Sequence, residues 1–187
     1  MQSKYYDMKC RIFPMAAVIC AVLASCSGRG TILADLSEWD FCTDSLSWEQ
    51  VSIPHSYNAI DGHSVSYYRG KGWYRRTLHL TAAQAAGDVS VCFEGAAQKA
   101  EVWVNGSHVC SHKGGYTAFF ADLTGKVKSG DNELLVICDN SADMNLAPVD
   151  SDFNKNGGLH NPATLYTFAP AHFSTAGYGR KRLHVTT

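Results

Sequence analysis

An all-β fold, an antiparallel sandwich or jelly roll, is what this sequence predicts, on three observations. Short runs alternate apolar and polar residues with period two, Gly- and Asn-bearing turns separate them at regular spacing, and no stretch sustains a 3.6-residue period. In 73–80 the alternation puts Tyr74, Arg76, Leu78 and Leu80 on one face and Trp73, Arg75, Thr77 and His79 on the other. Gly87-Asp88 opens the next run, in which Val89, Val91 and Phe93 share a face. Asn105-Gly106 sits between the runs 100–104 and 107–111, and both residues accept the positive φ of a type I′ hairpin turn. Gly130-Asp131-Asn132 leads into 133–138, apolar on both faces and therefore a central strand. Last strands are expected around 164–173 and 182–187, and single helical turns at 81–86 and 122–128.

The N-terminus reads differently. Lys4, Lys9 and Arg11 precede an apolar run over 12–23, followed by Ala24 and Ser25, which is the order of a secretory signal. The apolar run is about a dozen residues, and a helix needs about 20 to span a bilayer. Leu23-Ala24-Ser25-Cys26 resembles the bacterial lipobox, in which the cysteine is acylated. The expected organisation is a signal peptide with lipobox over 1–26, a tether over 27–32 and a β-sandwich over 33–187. A protein so processed is exported and lipid-anchored at Cys26 to the bacterial envelope, in the periplasm or at the outer membrane, touching membrane only through the anchor.

Charge argues against nucleic acid. The 187-residue chain carries a net charge of −1, and the part after residue 25 keeps 13 basic and 16 acidic residues. No basic stripe is present to replace counterions on a phosphate backbone. Of seven cysteines, Cys42, Cys92, Cys110 and Cys138 fall in the sandwich. Cys92 and Cys138 lie in apolar runs, where a free thiol packs as a small hydrophobe. No Cys-x-x-Cys pair suggests zinc, and no metal or cofactor is expected.

Six motifs occur in order: Ile53-Pro54-His55-Ser56-Tyr57, Tyr67-Tyr68-Arg69-Gly70-Lys71-Gly72-Trp73-Tyr74-Arg75-Arg76, Phe93-Glu94-Gly95-Ala96, Val102-Trp103-Val104-Asn105-Gly106, His112-Lys113-Gly114-Gly115-Tyr116, and Asp152-Phe153 followed by Gly157-Gly158. The series resembles the N-terminal sugar-binding domain of glycoside hydrolase family 2, which includes β-galactosidases, β-glucuronidases and β-mannosidases. The resemblance runs from about Leu33 to the C-terminus and implies a galactose-binding-domain-like jelly-roll β-sandwich. In that family the catalytic pair lies on a later (β/α)8 barrel, which needs at least about 200 residues. The sequence ends at Thr187, where the family's second domain begins. The chain is therefore expected to be noncatalytic by itself, with immunoglobulin-like and barrel domains missing or separate. Retaining hydrolysis needs two carboxyl groups about 5–5.5 Å apart, and only Glu38, Glu49, Glu94, Glu101 and Glu133 follow residue 26 among the glutamates. Asn132-Glu133 imitates the family's acid/base dipeptide, but its place after Gly130-Asp131 matches the family's Gly-x-Asn turn instead.

Asp152 ranks first for ligand contact. The resemblance carries over to it, in Asp150-Ser151-Asp152-Phe153, an aspartate that reaches from this domain toward a galactose-type unit in the barrel's active site. A carboxylate accepts strong hydrogen bonds from sugar hydroxyls; the plainer reading is a loop aspartate capping a turn. Tyr67, Tyr68 and Arg69, in a Gly-bounded loop, are the next candidates. Trp39, Trp48, Trp73 and Trp103 could stack on sugar rings, yet the strand patterns assign Trp73 and Trp103 to the core. His55 is expected to make a structural hydrogen bond, and His112 and Tyr116 to fix the turn at Gly114-Gly115. After Gly157-Gly158 the family continues with an aliphatic residue, an aromatic and an arginine. Here Leu159 is followed by His160 and Asn161, which puts that arginine's interdomain contact in doubt. The expected partner is a galactoside-type carbohydrate; the alternative reading is a self-standing glycan-binding surface lipoprotein.

Overall fold

Strand pairing arranges the chain as two stacked antiparallel sheets. The computed structural model describes residues 30–44, 46–60, 67–146, 155–168 and 172. Its elements are β1 (Thr31–Asp35), β2 (Glu38–Cys42), β3 (Glu49–Ser52), β4 (Lys71–Leu80), α1 (Ala82–Ala85), β5 (Asp88–Phe93), β6 (Lys99–Val104), β7 (Ser107–Lys113), β8 (Phe119–Asp122), β9 (Gly130–Asp139) and β10 (Ala163–Phe168). One sheet has the order β1-β10-β5-β8 and the other β3-β2-β4-β9-β6-β7. The all-β jelly-roll sandwich is the fold observed. β1 begins a little ahead of Leu33, the expected start of the sandwich.

β9 occupies the centre, as its two apolar faces require. It pairs with β4 from Lys71↔Asp139 to Leu80↔Gly130, and with β6 on its other side. Asn105 and Gly106 take φ of 49° and 76°, joining β6 to β7 through the expected left-handed turn. The Asn105 side chain also closes the neighbouring turn: its amide donates to the Lys126 carbonyl and to Asn132 Oδ1, and its Oδ1 accepts from the Glu133 amide. Glu133 itself is exposed on β9, consistent with a turn-and-strand role. Thr81 caps α1 with a reciprocal capping box to Gln84, which lets one isolated turn hold. Residues 124–126 form only a turn, so the second expected helical turn is absent there.

The core lies between the sheets. Trp39, Phe41, Tyr74, Leu134 and Val136 meet Val89, Val91, Phe93, Ala121 and Leu165 in one buried cluster. Each large apolar side chain so enclosed contributes about 1.5–3 kcal/mol. Strand alternation corrects one expectation. With Tyr74, Val102 and Val104 buried inward, Trp73 and Trp103 point to the outer face of the six-stranded sheet and are only partly buried. Trp39, by contrast, is 2% exposed and donates its indole N–H to the Leu36 carbonyl. The Arg76 guanidinium rests 5.5 Å from the Trp39 ring, with Nε and Nη1 buried and unpartnered among the described residues. Burial lowers its pKa, against a smaller opposing effect of Glu38. Cys92, Cys110 and Cys138 are free thiols. The expected strand at 182–187 lies outside the described residues.

Candidate functional site

The loops where β4 begins and β9 ends are tied by buried amides rather than by apolar packing. Asn140, fully buried just after β9, accepts from the Gly70 amide at 2.8 Å and donates to the carbonyl of Lys155 at 2.9 Å. Asn58, 1% exposed, donates to the same Lys155 carbonyl and accepts from the Gly157 amide, both at 2.8 Å. Tyr57 donates its hydroxyl to the Gly70 carbonyl at 2.8 Å, and burial pushes its pKa far up, so it stays a neutral donor. Four separate stretches of chain, at 57–58, 70, 140 and 155–157, are thereby held as one floor.

Gly157 and Gly158 allow the close approach. A Cβ on Gly157 would run into the Tyr57 ring; one on Gly158, whose φ is +113°, would meet the Tyr74 hydroxyl and, at 2.6 Å, the His55 carbonyl. Beneath them His55 Nδ1 and the Tyr74 hydroxyl are 2.8 Å apart, and Phe41 packs edge-on to His55 at 4.8 Å. Burial lowers the His55 pKa, with Glu49 opposing weakly. His55 is a structural partner, as expected.

The three loop candidates stand together on this floor. The Tyr67 hydroxyl accepts from the Lys155 amide at 3.3 Å. Tyr68 is 38% exposed, packs edge-on to Tyr57 at 5.6 Å and donates its hydroxyl to the Lys71 carbonyl. Arg69 is exposed, donates from Nε to the Asn140 carbonyl and holds its guanidinium 6.0 Å from the Tyr67 ring. Two phenols and a guanidinium thus present donors, acceptors and ring faces side by side, the equipment for a polyhydroxylated ligand. Asp152 and Cys26 lie outside the described residues. Of the tryptophans, Trp39 is sealed in the core, while Trp48 carries the Arg75 guanidinium on its ring at 3.9 Å.

His112 holds its turn: Nε2 lies 3.0 Å from both the Gly114 carbonyl and the Thr117 hydroxyl. Tyr116 does not share that role, being 71% exposed and edge-on to His160 at 5.4 Å. Asn161 donates to the Glu94 carbonyl at 3.3 Å. Among the described residues no group of three or more His, Cys, Asp or Glu is placed to hold a metal, and no helix is long and apolar enough to cross a membrane.

The family described as glycosyl hydrolases family 2, sugar binding domain, matches residues 34–169. The chain belongs to this family. A β-glucuronidase of Bacteroides fragilis is 33% identical over 119 residues, covering 62% of this chain and 17% of that protein. A β-galactosidase of Thermoanaerobacter pseudethanolicus is 37% identical over 106 residues, covering 56% of this chain and 14% of that one. Among solved structures, a Bacteroides uniformis β-glucuronidase superposes with a TM-score of 0.70 at 31% identity, over 81% of this chain and 19% of that one. The family 2 chain therefore spans less than a fifth of each of these relatives, within the sugar-binding domain. The Asn58 and Asn140 amides that organise this family member's loops escaped sequence reasoning. Asparagine in a loop has no periodic signal, and only the neighbouring double glycine hinted at close approach.

Proposed function

We propose that this chain is the noncatalytic carbohydrate-recognition domain of a family 2 glycoside hydrolase, with the catalytic barrel supplied by sequence outside the 187 residues. The observation that carries this reading is the confinement of the match to the sugar-binding domain, 34–169. The loop cluster supports it: Tyr67, Tyr68 and Arg69 offer an amphipathic surface to a sugar, and the resemblance of its motif nominates Asp152 to add a carboxylate. The carboxylates on β6 and β9 support it too. Glu101 is occupied by Ser111 and His108, and Glu133 is solvent-exposed on a strand. The sugar is a galactoside or a glucuronide, the two classes named for the relatives. The chain is exported and anchored through an acylated Cys26; palmitate labelling that is lost in Cys26→Ala tests this.

The deciding experiment is calorimetry of the purified full chain with methyl β-galactoside and methyl β-glucuronide, beside a chromogenic assay of the same sugars. Binding of one sugar, weakened at least tenfold by Tyr68→Ala, without turnover is the expected result. Turnover by the purified chain, or no binding of either sugar, overturns the reading.

A second reading, a self-standing glycan-binding lipoprotein, is favoured by one observation. His160 and Asn161, in the segment where the family carries its interdomain arginine, engage Tyr116 and Glu94 of this same domain. Downstream DNA that encodes no barrel in any frame separates this reading from the first.

A further inference from the structure

The outer face of the six-stranded sheet continues the loop site. Register places Lys71, Asp139 and Lys99 in one cross-strand row, Trp73, Ile137 and Glu101 in the next, and Arg75, Leu135 and Trp103 in the third. All nine side chains share the face opposite the core, because Tyr74, Val136 and Val102 of the same strands point inward. A recess of about 350 Å³ opens there, lined by Lys71, Lys99, Glu101, Trp103, Ile137 and Asp139. Its first row adjoins the loop cluster, since Tyr68 bonds the Lys71 carbonyl. From there to the row of Trp103 is four residues along the strands, about 13 Å.

We infer that this recess is an extended subsite for a neutral oligosaccharide, running from Tyr68 across the sheet to Trp103. The chemistry selects that ligand class. Half-buried Trp103 and Trp73 with Ile137 and Leu135 offer an apolar floor for pyranose faces. Ionic groups of both signs are interspersed around it: Lys99 lies 3.1 Å from Asp139 and 3.9 Å from Asp143, Arg75 lies 3.3 Å from Asp40, and Lys71 and Glu101 line the same recess. Mixed in sign, they present no single-sign surface to a charged polymer, yet keep donors and acceptors for hydroxyl groups. Hydrogen bonds from Ser141 and Lys99 outweigh burial and keep Asp139 below the usual carboxylate range, an ionised acceptor. A protein partner fits poorly, since Lys, Glu and Asp are depleted from the centres of protein interfaces, and here they surround the recess. The strands β4, β9 and β6 are the middle of the sheet, so the floor is preorganised.

This inference deepens the carbohydrate reading and rests on it, but the two fail differently. The test is a glycan array, followed by calorimetry, of the full chain with neutral β-linked galacto-, gluco-, manno- and xylo-oligosaccharides of one to six units. Affinity for at least one series is expected to rise tenfold or more with chain length. Trp103→Ala should return the longest member to the affinity of the monosaccharide, Trp103→Phe should keep most of the gain, and neither should change monosaccharide binding. Tyr68→Ala should weaken every length. Length-independent affinity, or a gain that survives in a folded Trp103→Ala variant, overturns the subsite and leaves the loop site standing. Absence of binding at all lengths overturns the subsite, and absence of binding to methyl β-glucuronide as well overturns both. If Trp103→Ala does not fold, loss of the gain in Glu101→Ala, on the wall of the same recess, supports the subsite, and an unchanged gain overturns it.

Discussion

Asn58 and Asn140 donate to one acceptor: their side-chain amides reach the Lys155 carbonyl at 2.8 and 2.9 Å from positions 97 and 15 residues away in sequence. Both amides are buried, so removing either strands backbone groups out of reach of water. Because the two share a partner, their effects are coupled rather than independent.

Asn58→Ala and Asn140→Ala should each destabilise the domain by about 1–3 kcal/mol. The double variant should lose less than the sum of the two. A double-mutant cycle by urea denaturation checks this, and strict additivity refutes the shared junction.

Gly158→Ala places a methyl group against the His55 carbonyl at a φ of +113°. Backbone strain of this kind costs about 1–3 kcal/mol before the collision is counted. The melting temperature should fall clearly, whereas Gly125→Ala, with nothing near its Cβ position, should show only the smaller cost of its φ of +73°.

His55 and His112 both titrate below the ordinary histidine value of 6.5 because burial disfavours the imidazolium; at His112 the Gly114 and Thr117 oxygens oppose this only in part. With folded pKa values depressed, the unfolded state binds more protons below pH 6.5, and stability falls on acidification. It should be full above pH 7 and decline from about pH 6.5 downward. His112→Gln, which keeps a donor for the Gly114 carbonyl, should flatten that slope in pH-dependent thermal melts.

Arg76→Met keeps the apolar stem over Trp39 and removes two buried donors that lack partners among the described residues. The variant should be at least as stable as the parent, by up to about 1–3 kcal/mol. A lower urea midpoint would show that Arg76 is engaged in the intact protein.

The thiols of Cys92 and Cys110 are pushed up to about 11 by burial and that of Cys138, which is fully buried, higher still. All three should resist a thiol reagent at pH 8 in the native state and react in denaturant. Residue-resolved mass spectrometry measures this.

The readable parts of the fold are those where a local rule decides. Asn105-Gly106 dictates its turn, and the long runs of β4, β5, β6 and β9 show their period directly. β1, β2, β3 and β8 went unread because each has only four or five residues, too few to display alternation. Trp73 and Trp103 were misassigned for a different reason. Both strands carry apolar residues on two faces, and only the partner sheet decides which face is enclosed. The Gly-bounded motif puts Tyr67, Tyr68 and Arg69 in one loop as candidates, but the amide floor under them depends on contacts nearly a hundred residues apart, which no window along the chain contains.

Among the described residues β1 is paired only by β10, with Thr31 opposite Thr167, and β10 in turn sits between β1 and β5. During synthesis the first strand therefore emerges long before its neighbour exists. It must wait, unpaired, until residues 163–168 have left the ribosome, so the smaller sheet closes after the larger one and slowly.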